Sequence, residues 1–168
     1  MMLLEILTYP NPELLKVSNP VKKFDRHLHS LLDNMAETMY EANGIGLAAP
    51  QVGHKVRAFI VDVAINKGDQ NQLREFINPK ISHGSGSIIF EEGCLSVPGL
   101  SEEVKRKEKI RIDYLDRFGK PQTLETEGLL AVAIQHENDH LDGVLFVDRL
   151  SPIRRRMAKK KLSKAITL

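Results

Sequence analysis

His136 and His140 stand four positions apart in Gln135-His136-Glu137-Asn138-Asp139-His140, with the carboxylate of Glu137 beside the first. On a helix, residues at that spacing differ by about 40° around the axis, so both imidazoles project from one face and can hold one cation. A water on a divalent ion held this way loses its proton near neutral pH, and a carboxylate within hydrogen-bond reach can carry that proton. This is the equipment of metal-assisted hydrolysis. The blander readings are a solvated charge cluster, a histidine pair with structural hydrogen bonds only, or Glu137 in a salt bridge. Against them stands the flank Gly128-Leu129-Leu130-Ala131-Val132-Ala133-Ile134, too apolar for a solvated face. Its helical phase puts Leu129, Val132 and Ala133 on the side that carries the two histidines.

A metal site needs at least one more protein ligand. Thermolysin-like zincins take a glutamate from a later helix, but no Glu follows Glu137. In metzincins the pattern continues to a third histidine; Gly143 fits, but the position that should be His is Phe146. Beyond His140 the only carboxylates are Asp142 and Asp148, so the missing ligand is expected upstream. The single cysteine, Cys94, lies there, within Phe90-Glu91-Glu92-Gly93-Cys94-Leu95-Ser96-Val97-Pro98-Gly99. A lone Cys is often just a small buried hydrophobe. This one sits between Gly93 and an expected Val-Pro-Gly turn at the end of a β-like run, where a strand end presents a side chain and bare backbone amides. A thiolate with two imidazoles makes a tetrahedral centre with one position left over, suited to Fe(II) or Zn(II) over Mg(II).

Three separated motifs, Gly44-Ile45-Gly46-Leu47-Ala48-Ala49-Pro50-Gln51, Glu92-Gly93-Cys94-Leu95-Ser96 and Gln135-His136-Glu137-x-x-His140, occur in an order and spacing that resemble the peptide deformylase family. The resemblance covers residues 4–150. It implies removal of the formyl group from N-formylmethionine at the start of nascent polypeptides, with release of formate. A zincin-type metallopeptidase is the alternative.

The elements that must position these residues are legible in outline. From Asp25, a plausible N-cap, Leu28, Leu31, Leu32, Met35 and Met39 recur at helical spacing up to Gly44. Their apolar stripe reads as core, and His27 and His29 on the polar first turns read as solvated. The three prolines between Tyr9 and Pro20 preclude a continuous helix and suggest a wrapping loop. β-branched and aromatic runs at 56–63, 75–81 and 86–91 read as strands, and 109–115 alternates in period two before a turn into 122–127. Strands joined by short turns favour antiparallel pairing over a parallel βαβ rhythm. The expected architecture is therefore α+β, antiparallel β-sheets packed around the metal-bearing helix, and the resemblance implies the same. His54 and His83 fall in loop-like contexts without a role.

At 168 residues and 42% hydrophobic the chain suits one catalytic domain. A net charge of +2 makes no claim on DNA. One cysteine excludes an internal disulfide and suits a reducing compartment. No membrane-length apolar run, cationic signal region or transit pattern appears, so a cytoplasmic, membrane-free protein is expected, as a monomer.

Other expectations rest on the resemblance. The glycines Gly44 and Gly46 either serve a tight turn or allow close backbone approach by an extended peptide. The resemblance favours the second and makes Gln51 a donor to the carbonyl oxygen as charge develops, assisted by the Leu95 backbone N–H. It also favours Ile45, Leu129, Val132 and Ala133 as the methionine pocket over ordinary core, with Gly93 contributing backbone to the substrate site. Many bacterial members carry Arg seven residues after the metal cysteine; here Ser101 stands there. The metal implied is Fe(II), with Zn(II) or Ni(II) able to replace it in the purified protein. Residues 151–164 open with Ser-Pro and hold seven cations in an expected helix at about 152–165. That helix is either a solvated face or, since the implied substrate is nascent, a surface that docks on the ribosome.

Overall fold

The computed structural model describes residues 2–64 and 72–167. In chain order its regular elements are α1 (Arg26–Glu41), β1 (Gly46–Ala48), β2 (Ala58–Val61), β3 (Arg74–Ser85), β4 (Ile88–Cys94), β5 (Val97–Arg106), β6 (Lys109–Leu115), β7 (Pro121–Glu127), α2 (Gly128–Leu141) and α3 (Pro152–Thr167). Five strands form one sheet in the order β1-β2-β3-β6-β7, and β4 pairs with β5 in a separate hairpin. Every neighbouring pair of these strands runs antiparallel. The α+β architecture expected from the residues is the one found.

Strand β2 explains how α1 and α2 come to lie on opposite sides of the sheet. All four of its residues are buried, and successive side chains in a strand point to opposite faces. Ala58 and Ile60 pack with Leu28, Leu32, Met35 and Met39 of α1. Phe59 and Val61 pack instead with Ala131, Ile134 and Leu141 of α2 and with Phe76, Ile110 and Ile112 of the sheet. A third cluster joins Val97 and Val104 of β5 to Leu145, Phe146, Val147 and Leu150, and to Ala158 and Leu162 of α3. The hairpin that carries Cys94 is thereby fastened to the segment that follows α2.

Helix α1 begins where the capping signal placed it, with the Asp25 carboxylate accepting from Leu28 N–H. It ends as Asn43 adopts a positive φ of 58°. His29 is not solvated: its Nε2–H donates to the Arg117 carbonyl at 2.8 Å and its ring meets Phe118 edge-on. Packing against the β6–β7 turn, invisible to local pattern, accounts for the difference. His27, His54 and His83 are exposed.

Two strand expectations need correction. The turn after Cys94 is Leu95-Ser96, and Val-Pro-Gly belongs to β5. Pro98 and the charged residues after it disguised this strand; a two-stranded hairpin has only edges, where Pro is tolerated. Strand β3 runs on through Ser85 by way of register shifts between Ile77 and Lys80 and between Ser82 and Ser85. Such irregularities break the period-two pattern on which a sequence reading depends.

Candidate metal centre

The helix carrying both histidines is buried along most of its length, with His136 8% and His140 2% exposed. Their ring centroids lie 5.1 Å apart. Cys94 reaches them from the other side. The β4–β5 register shifts between Gly93 and Cys94, and such a break re-aims a side chain at a strand end. One ligand atom each from Cys94, His136 and His140 lies within 4.8 Å of the others, with Cys94 Sγ 3.4 Å from His140 Nε2. A sulfur and two imidazole nitrogens so gathered are a donor set for a soft or borderline divalent ion.

The surroundings fit a cation there. His136 Nδ1–H donates to Glu92 Oε1 at 2.9 Å, which leaves Nε2 to face the site. Burial works against a positive His136, but Glu137, Cys94 and Glu92 outweigh it and raise its pKa well above the usual imidazole value. Burial and the charge of His136 push His140 well below that value. Glu92 is itself buried, yet Arg106 and His136 hold its carboxyl below the ordinary range.

Glu137 lies over the ligands, its Oε2 3.9 Å from His136 Nε2. Its Oε1 is buried without a hydrogen-bond partner, and no cation of Lys or Arg is paired with it among the described residues. Burial raises its pKa to about 7, with His136 pulling the other way. Gly46 makes this placement possible: a Cβ there would stand 2.5 Å from Glu137 Oε2. Gln51 is 1% exposed. Its Oε1 accepts from Ala48 N–H at 2.9 Å, which fixes the amide so that Nε2 points to the site, donating to Ser96 Oγ at 3.1 Å and lying 3.6 Å from Cys94 Sγ.

A cleft of about 410 Å³ opens onto these groups. Its walls include Gly44, Ile45, Gly46, Gln51, Gly93, Cys94, Leu95, Leu129, Val132, Ala133, His136 and Glu137. Every site residue expected from sequence therefore comes together here, His140 lying beneath as the most buried of the three candidate ligands. Leu129, Val132 and Ala133 share the wall with His136, as the helical phase required. Ser101 bonds Glu91 Oε1 at 2.9 Å across the hairpin.

Sequence reasoning missed a set of supporting residues. Glu92 stood in a motif without a role, although its place two residues before Cys94 on a strand was a usable signal. Asp139, a further carboxylate on the helical turn that carries both histidines, was another. Nothing in the charged run 102–109 marks out Arg106, which is 6% exposed.

An α+β fold with a buried His-Glu-x-x-His helix, an upstream cysteine sulfur and an open cleft defines a metal-dependent hydrolase. The family model described as polypeptide deformylase matches residues 3–156. A peptide deformylase of Nautilia profundicola is 48% identical over 99% of this chain and 97% of its own length, and one of Helicobacter acinonychis is 51% identical over 96% and 94%. The crystal structure of a peptide deformylase from Legionella pneumophila superposes with a TM-score of 0.90 at 46% identity, covering 99% of this chain and 96% of that one. The chain belongs to the polypeptide deformylase family and is an enzyme of that class.

Proposed function

We infer that the chain is a metal-dependent hydrolase that removes the formyl group from N-formylmethionine at the start of nascent polypeptides, releasing formate. The observation that carries this reading is the meeting of Cys94 and His136 with the Glu137 carboxylate and the Gln51 amide in one cleft, with His140 grouped beneath them.

Cys94 Sγ and the two imidazoles would hold a divalent ion, which would supply Lewis acidity to a water and to the formyl carbonyl. The remaining work falls to side chains. Glu137 takes the proton of the attacking water and later delivers it to the departing nitrogen, so that the amine leaves neutral. Gln51 Nε2 donates to the carbonyl oxygen as negative charge grows there, and Leu95 N–H is the second donor. The tie between Gln51 Oε1 and Ala48 N–H keeps that donor aimed before substrate arrives. Ile45, Leu129, Val132 and Ala133 form the apolar wall for the methionine side chain. Gly44, Gly46 and Gly93 leave backbone bare for an extended peptide.

The finer assignments follow from the same reading. Fe(II) is the native metal, with Zn(II) or Ni(II) able to replace it, since a thiolate-bound ferrous centre is open to oxidative loss. Residues 1–168 act as one catalytic domain, monomeric and cytoplasmic, with no membrane or DNA partner; among the described residues no helix is long and apolar enough to cross a membrane. The cationic α3 is the element that docks on ribosomal RNA. Ser101 stands where many bacterial members carry arginine, so contacts to the substrate backbone beyond the methionine differ from those of arginine-bearing members.

The test is anaerobic purification, elemental analysis and a formate-release assay on formyl-Met-Ala-Ser. Formate release with intact internal peptide bonds, lost in Glu137→Ala with metal retained, is the expected result. Internal cleavage without formate would support the metallopeptidase alternative and overturn this one.

A further inference from the structure

The two imidazoles are not supported alike. His140 Nδ1 is buried and has no hydrogen-bond partner. His136 Nδ1, in contrast, is the end of a continuous chain of charges. Glu92, which accepts from it at 2.9 Å, is gripped by Nε and Nη2 of Arg106, each at 2.9 Å. Arg106 Nη1 reaches Asp139 Oδ2 at 2.6 Å. Asp139 is clamped in turn by Arg149 through Nε at 3.0 Å and Nη2 at 2.7 Å.

We propose that Glu92, Arg106, Asp139 and Arg149 act as one positioning unit that fixes the His136 ring and its Nδ1–H tautomer for metal binding. The proposal rests on the reading of Cys94, His136 and His140 as metal ligands. Three of the four members are buried, their side chains no more than 9% exposed, and only Arg149 opens to solvent. Burying charges is costly unless each is paired and hydrogen-bonded, and an apolar core would hold these segments together at less cost. What an apolar core cannot do is choose a tautomer. The signs alternate from Glu92 to Arg149 and sum to zero, so the unit steadies His136 without adding net charge beneath the metal. It draws its members from β4, β5, α2 and the turn after α2, so the ring is referenced to four segments at once. Arg106 is the hinge of the unit because its planar fork serves two carboxylates in different directions, which an ammonium cannot reproduce.

The test uses the full-length chain with Co(II) as probe. Metal affinity is read by chelator competition, ligand geometry by the visible absorption of the Co(II) form, and folding by the thermal midpoint of the metal-free chain. Arg106→Lys is expected to weaken Co(II) binding about 10- to 100-fold and alter the absorption bands, as loss of an outer partner does in other metal sites. Arg149→Ala, at the half-exposed end, leaves no bare buried cation and is expected to lose about tenfold, the lower end for an outer partner, while keeping the thermal midpoint of the wild type. Unchanged affinity and spectrum in both variants would overturn the proposal. So would affinity losses that merely track the thermal midpoint, since a plain structural brace predicts those. Cys94→Ala is the control: if it binds Co(II) as tightly as the wild type, the metal-centre reading fails first and is identified as the failure.

Discussion

Helix α2 keeps four ionisable side chains, His136, Glu137, Asp139 and His140, away from water, whereas α3 carries seven cations along a helix of similar length. Among the described side chains of α3 only Ala158 and Leu162 are buried, while Ile153 and Met157 are 73% and 58% exposed. The polar groups of α2 are placed by partners: Glu92 on His136, and Arg106 and Arg149 on Asp139. Those of α3 are placed mainly by solvent, with surface ties such as Arg154 to Glu102 and Lys159 to Asp148. Charge excluded from water is positioned and expensive to disturb, while charge left in water is mobile, cheap and available for other molecules.

That contrast is sharpest at the groups of the cleft for which catalytic roles are proposed. Glu137→Ala should lower turnover on the order of a thousandfold, the scale of a general acid–base group, with metal content unchanged. Gln51→Ala removes a single donor worth about 3 kcal/mol to a developing oxyanion and should lose on the order of a hundredfold, again with metal in place. Formate release set against elemental analysis checks both. A Gln51→Ala enzyme with wild-type turnover would remove the amide from the reaction.

The helices can also be compared by stability. Ile134 is fully buried within the α2 cluster, so Ile134→Ala should cost about 2–5 kcal/mol through lost burial and the cavity left behind. Met157→Ala on α3 should stay within about 0.5 kcal/mol of wild type, as exposed substitutions do. Urea unfolding of the metal-loaded protein measures both. Equal losses would mean that α3 is packed as α2 is, contrary to the burial seen.

How far each helix was legible follows from the same difference. In α2 the chemistry and the packing share one period, so the ligand pair, the neighbouring carboxylate and the wall of Leu129, Val132 and Ala133 all appear in a single local pattern. Cys94 needed a second step, because its partnership with residues more than forty positions away depends on the hairpin and its register shift. Gln51 carried no compositional signal and came only from the motif it closes. The supporting charges were beyond reach for a physical reason: a buried Arg106 looks like its exposed neighbours until β5 is known to be a strand and its inward face is known. The turn at Leu95-Ser96 was lost similarly, since Val-Pro-Gly satisfies the local rules for a turn that tertiary pairing overrides.

On the solvated side of the comparison, the smallest effect on chemistry should accompany a large effect on docking. Arg156, Lys160 and Lys161 are exposed on α3, and none of them lines the cleft. Replacing all three by Gln should leave formate release from a short formylated peptide unchanged. Binding to ribosomes should weaken, because cations that neutralise phosphates gain affinity by releasing condensed counterions. The dependence of log affinity on log salt should become shallower by about 0.7 to 0.9 for each phosphate contact removed. Sedimentation with purified ribosomes across a salt series reads that slope. An unchanged slope would make α3 a solvated face and nothing more, whereas a shallower one with intact peptide activity would separate docking from catalysis on the two helices.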